Sequence, residues 1–176
     1  MFSHRQSWPS GTVDCSHERG ECLLLQRYIR SDQDQLEEFM ETMYVSRGYV
    51  FDPEGSHSDI RSIELIYFGT GGGFWLLKEE QSVIGTIGLK SIDSENRIGE
   101  IKRFFVLPEH QDKGYGKSMM SQIIEFARQA GLIKLRLDTE KQSYKAMSVF
   151  RSFGFYEIPK YNDNDIAEIF MELSIK

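Results

Sequence analysis

The segment Gln111-Asp112-Lys113-Gly114-Tyr115-Gly116-Lys117 lies between a strand-like run ending at Val106 and an amphipathic run that begins near Met119. A helix that opens at such a turn starts with unsatisfied backbone N–H groups and the positive end of its dipole. Glycines let the main chain turn tightly and approach a ligand without Cβ interference. The chemistry suited to this arrangement is an anion cradle, most naturally for phosphate or pyrophosphate. Lys113 and Lys117 add positive charge beside it. Neither common nucleotide motif is complete. A Walker A loop needs glycine where Gln111 stands, and the dinucleotide fingerprint needs a third glycine where Met119 stands.

Other residues that could do chemistry are less organised. Cys15, His17 and Cys22 could supply three zinc ligands, but they lack the regular pairs of zinc sites and a nearby fourth ligand. They read instead as an irregular arm running into a strand cysteine, with no metal site. His57 and His110 read as solvated loop residues. Asp52, Glu54, Asp59 and Glu64 could attract a cationic amine, or simply form a solvated polar face.

The elements that must position the glycine turn follow from periodicity. Residues 1–21 mix Ser, His, Pro, Gly and charge without a period, and read as a poorly ordered arm. Residues 22–176 form one domain. Cys22–Ile29 reads as a strand, and Ser31 with Asp34 as a capping arrangement for a helix carrying Leu36, Phe39, Met40, Met43 and Tyr44. Ser58 can cap a second helix with Ile60, Ile63 and Tyr67. Three strand-like runs, 74–78, 83–89 and 98–106, are joined by short linkers and predict an antiparallel meander. A helix to Ala130, a strand at 134–138, a helix ended by Gly154 and two closing strands at 155–158 and 167–173 complete the chain.

The strand-helix-strand unit from Ile98 to Asp138 requires a right-handed crossover and parallel pairing inside an otherwise antiparallel sheet. The fold class is therefore α/β (α+β), a mixed, mostly antiparallel sheet with one parallel crossover. Ligands bind at the strand carboxyl ends where such a sheet switches direction.

The chain has 176 residues, 40% hydrophobic and 27% charged, with a net charge of −6. That is ordinary globular composition. The acidic balance argues against nucleic acid as a partner, which would need a basic footprint. No apolar stretch approaches the ~18 residues of a membrane span. The polar opening lacks the apolar core of a secretory signal, and two cysteines are too few for a disulfide scaffold, so the expected location is cytoplasmic.

Val106-x-Pro108-x-x-Gln111-x-x-Gly114-x-Gly116 resembles the acetyl-CoA motif of the GCN5-related N-acetyltransferases (GNAT). Gly131–Leu137 resembles the strand that follows it in that family, and Ala146-x-x-Val149-Phe150-x-x-x-Gly154-Phe155 its last motif. Val83–Gly88 resembles the central hairpin strand. The resemblance spans about residues 22–173 and agrees with the element order read from periodicity. It implies a GNAT-like fold and acetyl-CoA as co-substrate. Main-chain N–H groups of Gln111, Asp112, Lys113, Gly114, Tyr115 and Gly116 would hold the pyrophosphate, with Lys117 adjacent. Phe104, Phe105 and Val106 would bond the pantetheine arm and present an N–H to the thioester oxygen, where charge develops as the amine attacks. Ser143, Ala146 and Phe150 would complete the cofactor site.

The resemblance further implies Glu100, six residues before Val106, as the base that deprotonates the amine. Desolvation on a half-buried strand would raise its pKa toward that task. Paired with Arg97 or Lys102 it would be only a surface acid. The family often has Tyr where this chain has Phe150, to protonate the departing thiolate. Tyr144 is about 120° away around the helix, which leaves Tyr156 or an unassisted thiolate. The expected function is acetyl transfer to a primary amine of a small molecule or peptide by direct attack. Without the tyrosine, an acyl-CoA-binding sensor that transfers nothing is the alternative. Exposed edges of the closing strands could pair two copies into a homodimer.

Overall fold

A computed structural model describes residues 24–175. The arm at 1–21 and the candidate ligands Cys15, His17 and Cys22 lie outside the described residues. Seven strands form one sheet: β1 (Leu24–Arg27), β2 (Gly73–Glu79), β3 (Ser82–Asp93), β4 (Ile98–Val106), β5 (Lys134–Thr139), β6 (Tyr156–Ile158) and β7 (Ile169–Ser174). Their order is β1-β2-β3-β4-β5-β7-β6, and every neighbouring pair is antiparallel except β4 with β5. The expected meander and parallel crossover are both present.

Each face of the sheet has its own core. On one face lie α2 (Tyr115–Gln129) and α3 (Tyr144–Ser152), which bury Met119, Met120, Ile123, Ile124, Ala127 and Phe150 against Leu89, Ile101, Leu135 and Leu137. That spacing along α2 makes a single apolar stripe. On the other face α1 (Gln33–Ser46) buries Leu36, Phe39, Met40 and Met43 against Phe74 and Leu76. The start of α1 is organised by Asp32 rather than by Ser31 and Asp34. Its carboxylate accepts the Ile29 N–H at 3.0 Å and pairs with Lys78 Nζ at 2.7 Å, tying the helix to β2.

The second helix expected after Ser58 does not form. The chain makes a short 3-10 turn at Ser58–Arg61 and one wide turn at Glu64–Phe68, closed by Gly69 N–H to Glu64 O at 2.8 Å. Tertiary contacts override the local pattern here. Tyr67 is fully buried on the sheet over Gly88, where a Cβ would stand 2.6 Å from its ring. Its hydroxyl donates to Asp59 at 2.6 Å. Among the described residues no helix is long and apolar enough to cross a membrane.

Candidate active site

β4 and β5 pair only from Ile98–Lys134 to Ile101–Leu137, and beyond that they diverge. A groove of about 940 Å³ opens where they separate. Phe104, Phe105 and Val106 form one wall, the turn 111–117 closes one end, and Ser143 and Ala146 lie opposite. Leu107 N–H bonds Ile84 O at 2.9 Å, toward β3. Strand alternation therefore turns the N–H of Val106, and that of Phe104, toward the splay.

The turn is built by residues with distinct tasks. Gly114 has φ +85°, a left-handed conformation that directs the chain into α2. Gly116 serves packing instead: a Cβ there would stand 3.2 Å from the Phe104 ring and 3.5 Å from Val149. The N–H groups of Gly116 and Lys117 precede the first i→i−4 bond of α2, Ser118 to Gly114 at 3.1 Å, and lie at the groove wall. Gln111 braces the turn: its N–H bonds Pro108 O at 3.2 Å and its side-chain amide donates to Val106 O at 2.9 Å. Asp112, at φ +61°, pairs with Lys145 Nζ at 2.7 Å across the groove.

A second cavity, about 570 Å³, lies on the α1 side of the sheet. Arg47, Phe104, Phe105, Ser143 and Ala146 line both cavities, so the two meet at the splay. The shape of the second cavity comes from a β-bulge. Thr86 pairs with Phe105 but Gly88 with Lys102, so β4 carries one extra residue there, and Arg103 has φ +53°. Fully buried Thr86 donates its hydroxyl to the Arg103 carbonyl at 2.8 Å. In a regular strand Lys102 and Arg103 would face opposite sides. Here both reach the same cavity.

The cations of this cavity are paired. The Arg103 guanidinium grips both oxygens of Asp59 and bonds the Tyr44 hydroxyl. Burial pulls the Asp59 carboxyl upward, but the guanidinium outweighs it and holds Asp59 below the ordinary carboxylate range. Arg47 bonds Glu140 at 2.9 Å and Ser143 at 3.0 Å, and Tyr49 donates to the other Glu140 oxygen at 2.7 Å. Lys102 lies 3.3 Å from Asp138, and Lys90 lies 3.0 Å from Glu100. His57 packs against both Tyr44 and Phe51, which also stack on each other, and its Nδ1 accepts the Asp52 N–H at 2.9 Å. Burial, and after it the Arg103 charge, push its pKa down.

The groove gathers the expected cofactor residues Phe104, Phe105, Val106, Gln111, Asp112, Gly114, Tyr115, Gly116, Lys117, Ser143 and Ala146. Lys113 is exposed outside it. Phe150 is buried against Phe104 and Phe155 and reaches the second cavity. Glu100 lines neither cavity. It is 3% exposed, behind Lys90, and accepts Tyr161 at 2.8 Å and Asn162 at 3.1 Å. Tyr156 is removed from the site on strand β6, where its hydroxyl donates to Glu172 at 2.7 Å. His57 and His110, read as solvated, instead line the second cavity and the groove.

The remaining cavity residues escaped sequence reasoning. Lys90, Arg103, Asp138 and Glu140 look like ordinary polar positions of strands and loops. Their convergence depends on the bulge and on the loop before β7, neither of which has a local signal.

The sequence profile of the acetyltransferase (GNAT) family matches residues 33–155. Human N-acetyltransferase 8 is 30% identical over 103 residues, 56% of this chain and 45% of that protein. The chain spans about half the length of such curated relatives. A Staphylococcus aureus acetyltransferase of the GNAT family superposes with a TM-score of 0.80 at 24% identity, over 88% of this chain and 99% of that one. The Salmonella typhimurium acetyltransferase yncA, solved with its cofactor acetyl-CoA, superposes with a TM-score of 0.66 at 18% identity, over 88% and 94%. Both structures share the fold. With a profile match across most of the domain and the turn, splay and crossover in the order the motifs require, the chain belongs to the acetyltransferase (GNAT) family.

Proposed function

We propose that the protein transfers an acetyl group from acetyl-CoA to an amine by direct attack. The observation that carries this reading is the meeting of two cavities at the β4–β5 splay. A sensor of acyl-CoA needs one cavity; a transferase needs a second that opens onto the acyl group. The groove suits the cofactor: glycine turn, helix N-terminus and Lys117 for the diphosphate, and the outward N–H of Val106 or Phe104 for the thioester oxygen. Holding amine and thioester together supplies much of the rate.

Glu100 enters this mechanism indirectly. Asp138 is one of three carboxylates at the cavity wall, and it is the one tied to Glu100: a single side-chain amide, Asn162 Nδ2, bonds both Asp138 at 2.6 Å and Glu100 at 3.1 Å. In our reading this coupled pair accepts the amine proton, with Asp138 as the member that faces the acceptor. Phe150 offers no proton to the thiolate, which departs as a good leaving group. The same reading carries a small-molecule or peptide amine as acceptor, a cytoplasmic setting and a homodimer paired through an edge strand.

The test follows free thiol release from acetyl-CoA with a panel of amines. Thiol above background with any acceptor is expected; none, with acetyl-CoA bound, leaves the sensor. Asp138→Asn and Glu100→Gln should each lower kcat by about 10²-fold or more while acetyl-CoA affinity holds. Unchanged turnover in both variants would remove the pair from the mechanism.

A further inference from the structure

We infer that the acceptor carries a carboxylate as well as its amine, and that Lys90 and Lys102 hold that carboxylate. The inference rests on the transferase reading and specifies its acceptor.

Three of the four acids that could have drawn a polycation into the site are already occupied, and the fourth, Glu64, lies outside the cavity lining. Asp59 is gripped by Arg103 and Tyr67, and Glu54 is bonded to Arg61. Asp52 accepts the N–H groups of Gly55 and Ser56 at 3.0 and 3.1 Å. The cavity wall itself presents four cations, Arg47, Lys90, Lys102 and Arg103, against three carboxylates, Asp59, Asp138 and Glu140. Each of these carboxylates is bonded to one of the cations.

The layering of charge favours an anion. Lys90 and Lys102 side chains are 31% and 23% exposed, whereas their partners Glu100 and Asp138 are 4% and 8% exposed. The ammonium groups are thus the more exposed member of each pair. Neutral donors also bond those acids: Tyr161 and Asn162 on Glu100, Asn162 and Asn164 on Asp138. An ammonium has three N–H donors. Lys90 meets one oxygen of Glu100 and Lys102 both oxygens of Asp138, which leaves each ammonium at least one donor for a ligand. Lys90 pairs with Glu100 across the β3–β4 ladder and Lys102 with Gly88. The two lysines are therefore diagonal neighbours on one face, about 7–8 Å apart at the backbone, within reach of a shared carboxylate. Asp138, on the adjacent strand, takes the amine end. The bulge contributes by turning Arg103 to the same side, so that its charge adds to the field.

Matched acceptors test the idea. Amino acids, the corresponding amino acid amides and polyamines are compared by thiol release at saturating acetyl-CoA. Amino acids should exceed their amides in kcat/KM by about tenfold or more. Lys102→Met should bring that ratio toward one, through a raised KM for the acid, without moving the KM for acetyl-CoA. Lys90→Met should act in the same direction, and Lys102→Arg should keep the preference. Amides or polyamines used as well as the acids, or a preference that survives both methionine variants, overturns the inference and leaves the transferase reading standing. No thiol from any amine, with acetyl-CoA binding seen as thermal stabilisation, overturns both.

Discussion

Thr86→Val isolates the bond that holds the bulge. Valine keeps the shape of threonine and removes the one donor that meets the Arg103 carbonyl at 2.8 Å. Thr86 is fully buried, so no water replaces the hydroxyl. A buried acceptor left without its partner costs about 1–3 kcal/mol. Arg103 also holds a left-handed conformation that disfavours a non-glycine residue, so the bulge has no local preference to fall back on. For a chain of this size each kcal/mol lowers Tm by about 2–4 °C. A loss of about 2–12 °C is therefore expected, together with a reduced kcat/KM as Arg103 and Phe105 lose register beneath the acceptor. Urea unfolding followed by tryptophan fluorescence gives the stability, with the slope checked for an unchanged transition. Thr86→Ser, which keeps the hydroxyl and loses only a methyl, should retain the acceptor kinetics. A valine variant as stable and as active as the parent would show that the hydroxyl does not hold the bulge.

Two further outcomes are expected. Gly114→Ala places a Cβ at φ +85° and should cost about 1–2 kcal/mol while weakening acetyl-CoA binding several-fold, measured by calorimetry; unaltered affinity would detach the turn from the cofactor. Burial pushes the Glu172 carboxyl upward, but bonds from Tyr156, Arg136 and Lys134 outweigh it and hold its pKa at about 2. Because the folded pKa lies below that of the unfolded chain, the bonds stabilise fully above about pH 4.5 and are lost as pH falls toward 2, by about 3 kcal/mol in all. Denaturant midpoints between pH 5 and 3 should fall in the parent and stay flatter in Glu172→Gln.

The helices and the crossover were legible because their signals are local. Leu36, Phe39, Met40 and Met43 mark α1 by period alone, and Gly114 and Gly131 start and stop α2 where left-handed residues are needed. The second helix misled because its polar residues have distant partners: Asp59 belongs to Arg103, 44 residues away, and Tyr67 to the space over Gly88. The groove was largely readable, since one turn and one strand end build it. The second cavity was not. Glu100 carried a recognisable spacing, but its burial beneath Lys90, Tyr161 and Asn162 depends on the residues between β6 and β7, which have no period to read.

Only four residue pairs join β4 to β5, whereas β3 with β4 and β5 with β7 make long ladders on either side. The sheet is thus two leaves stitched along a short seam. A molecule lodged where the stitching ends would touch both leaves at once and act as a clasp. Amide hydrogens along Lys134–Leu137 should then exchange with solvent more slowly when the groove is filled, even though nothing bound there reaches them directly.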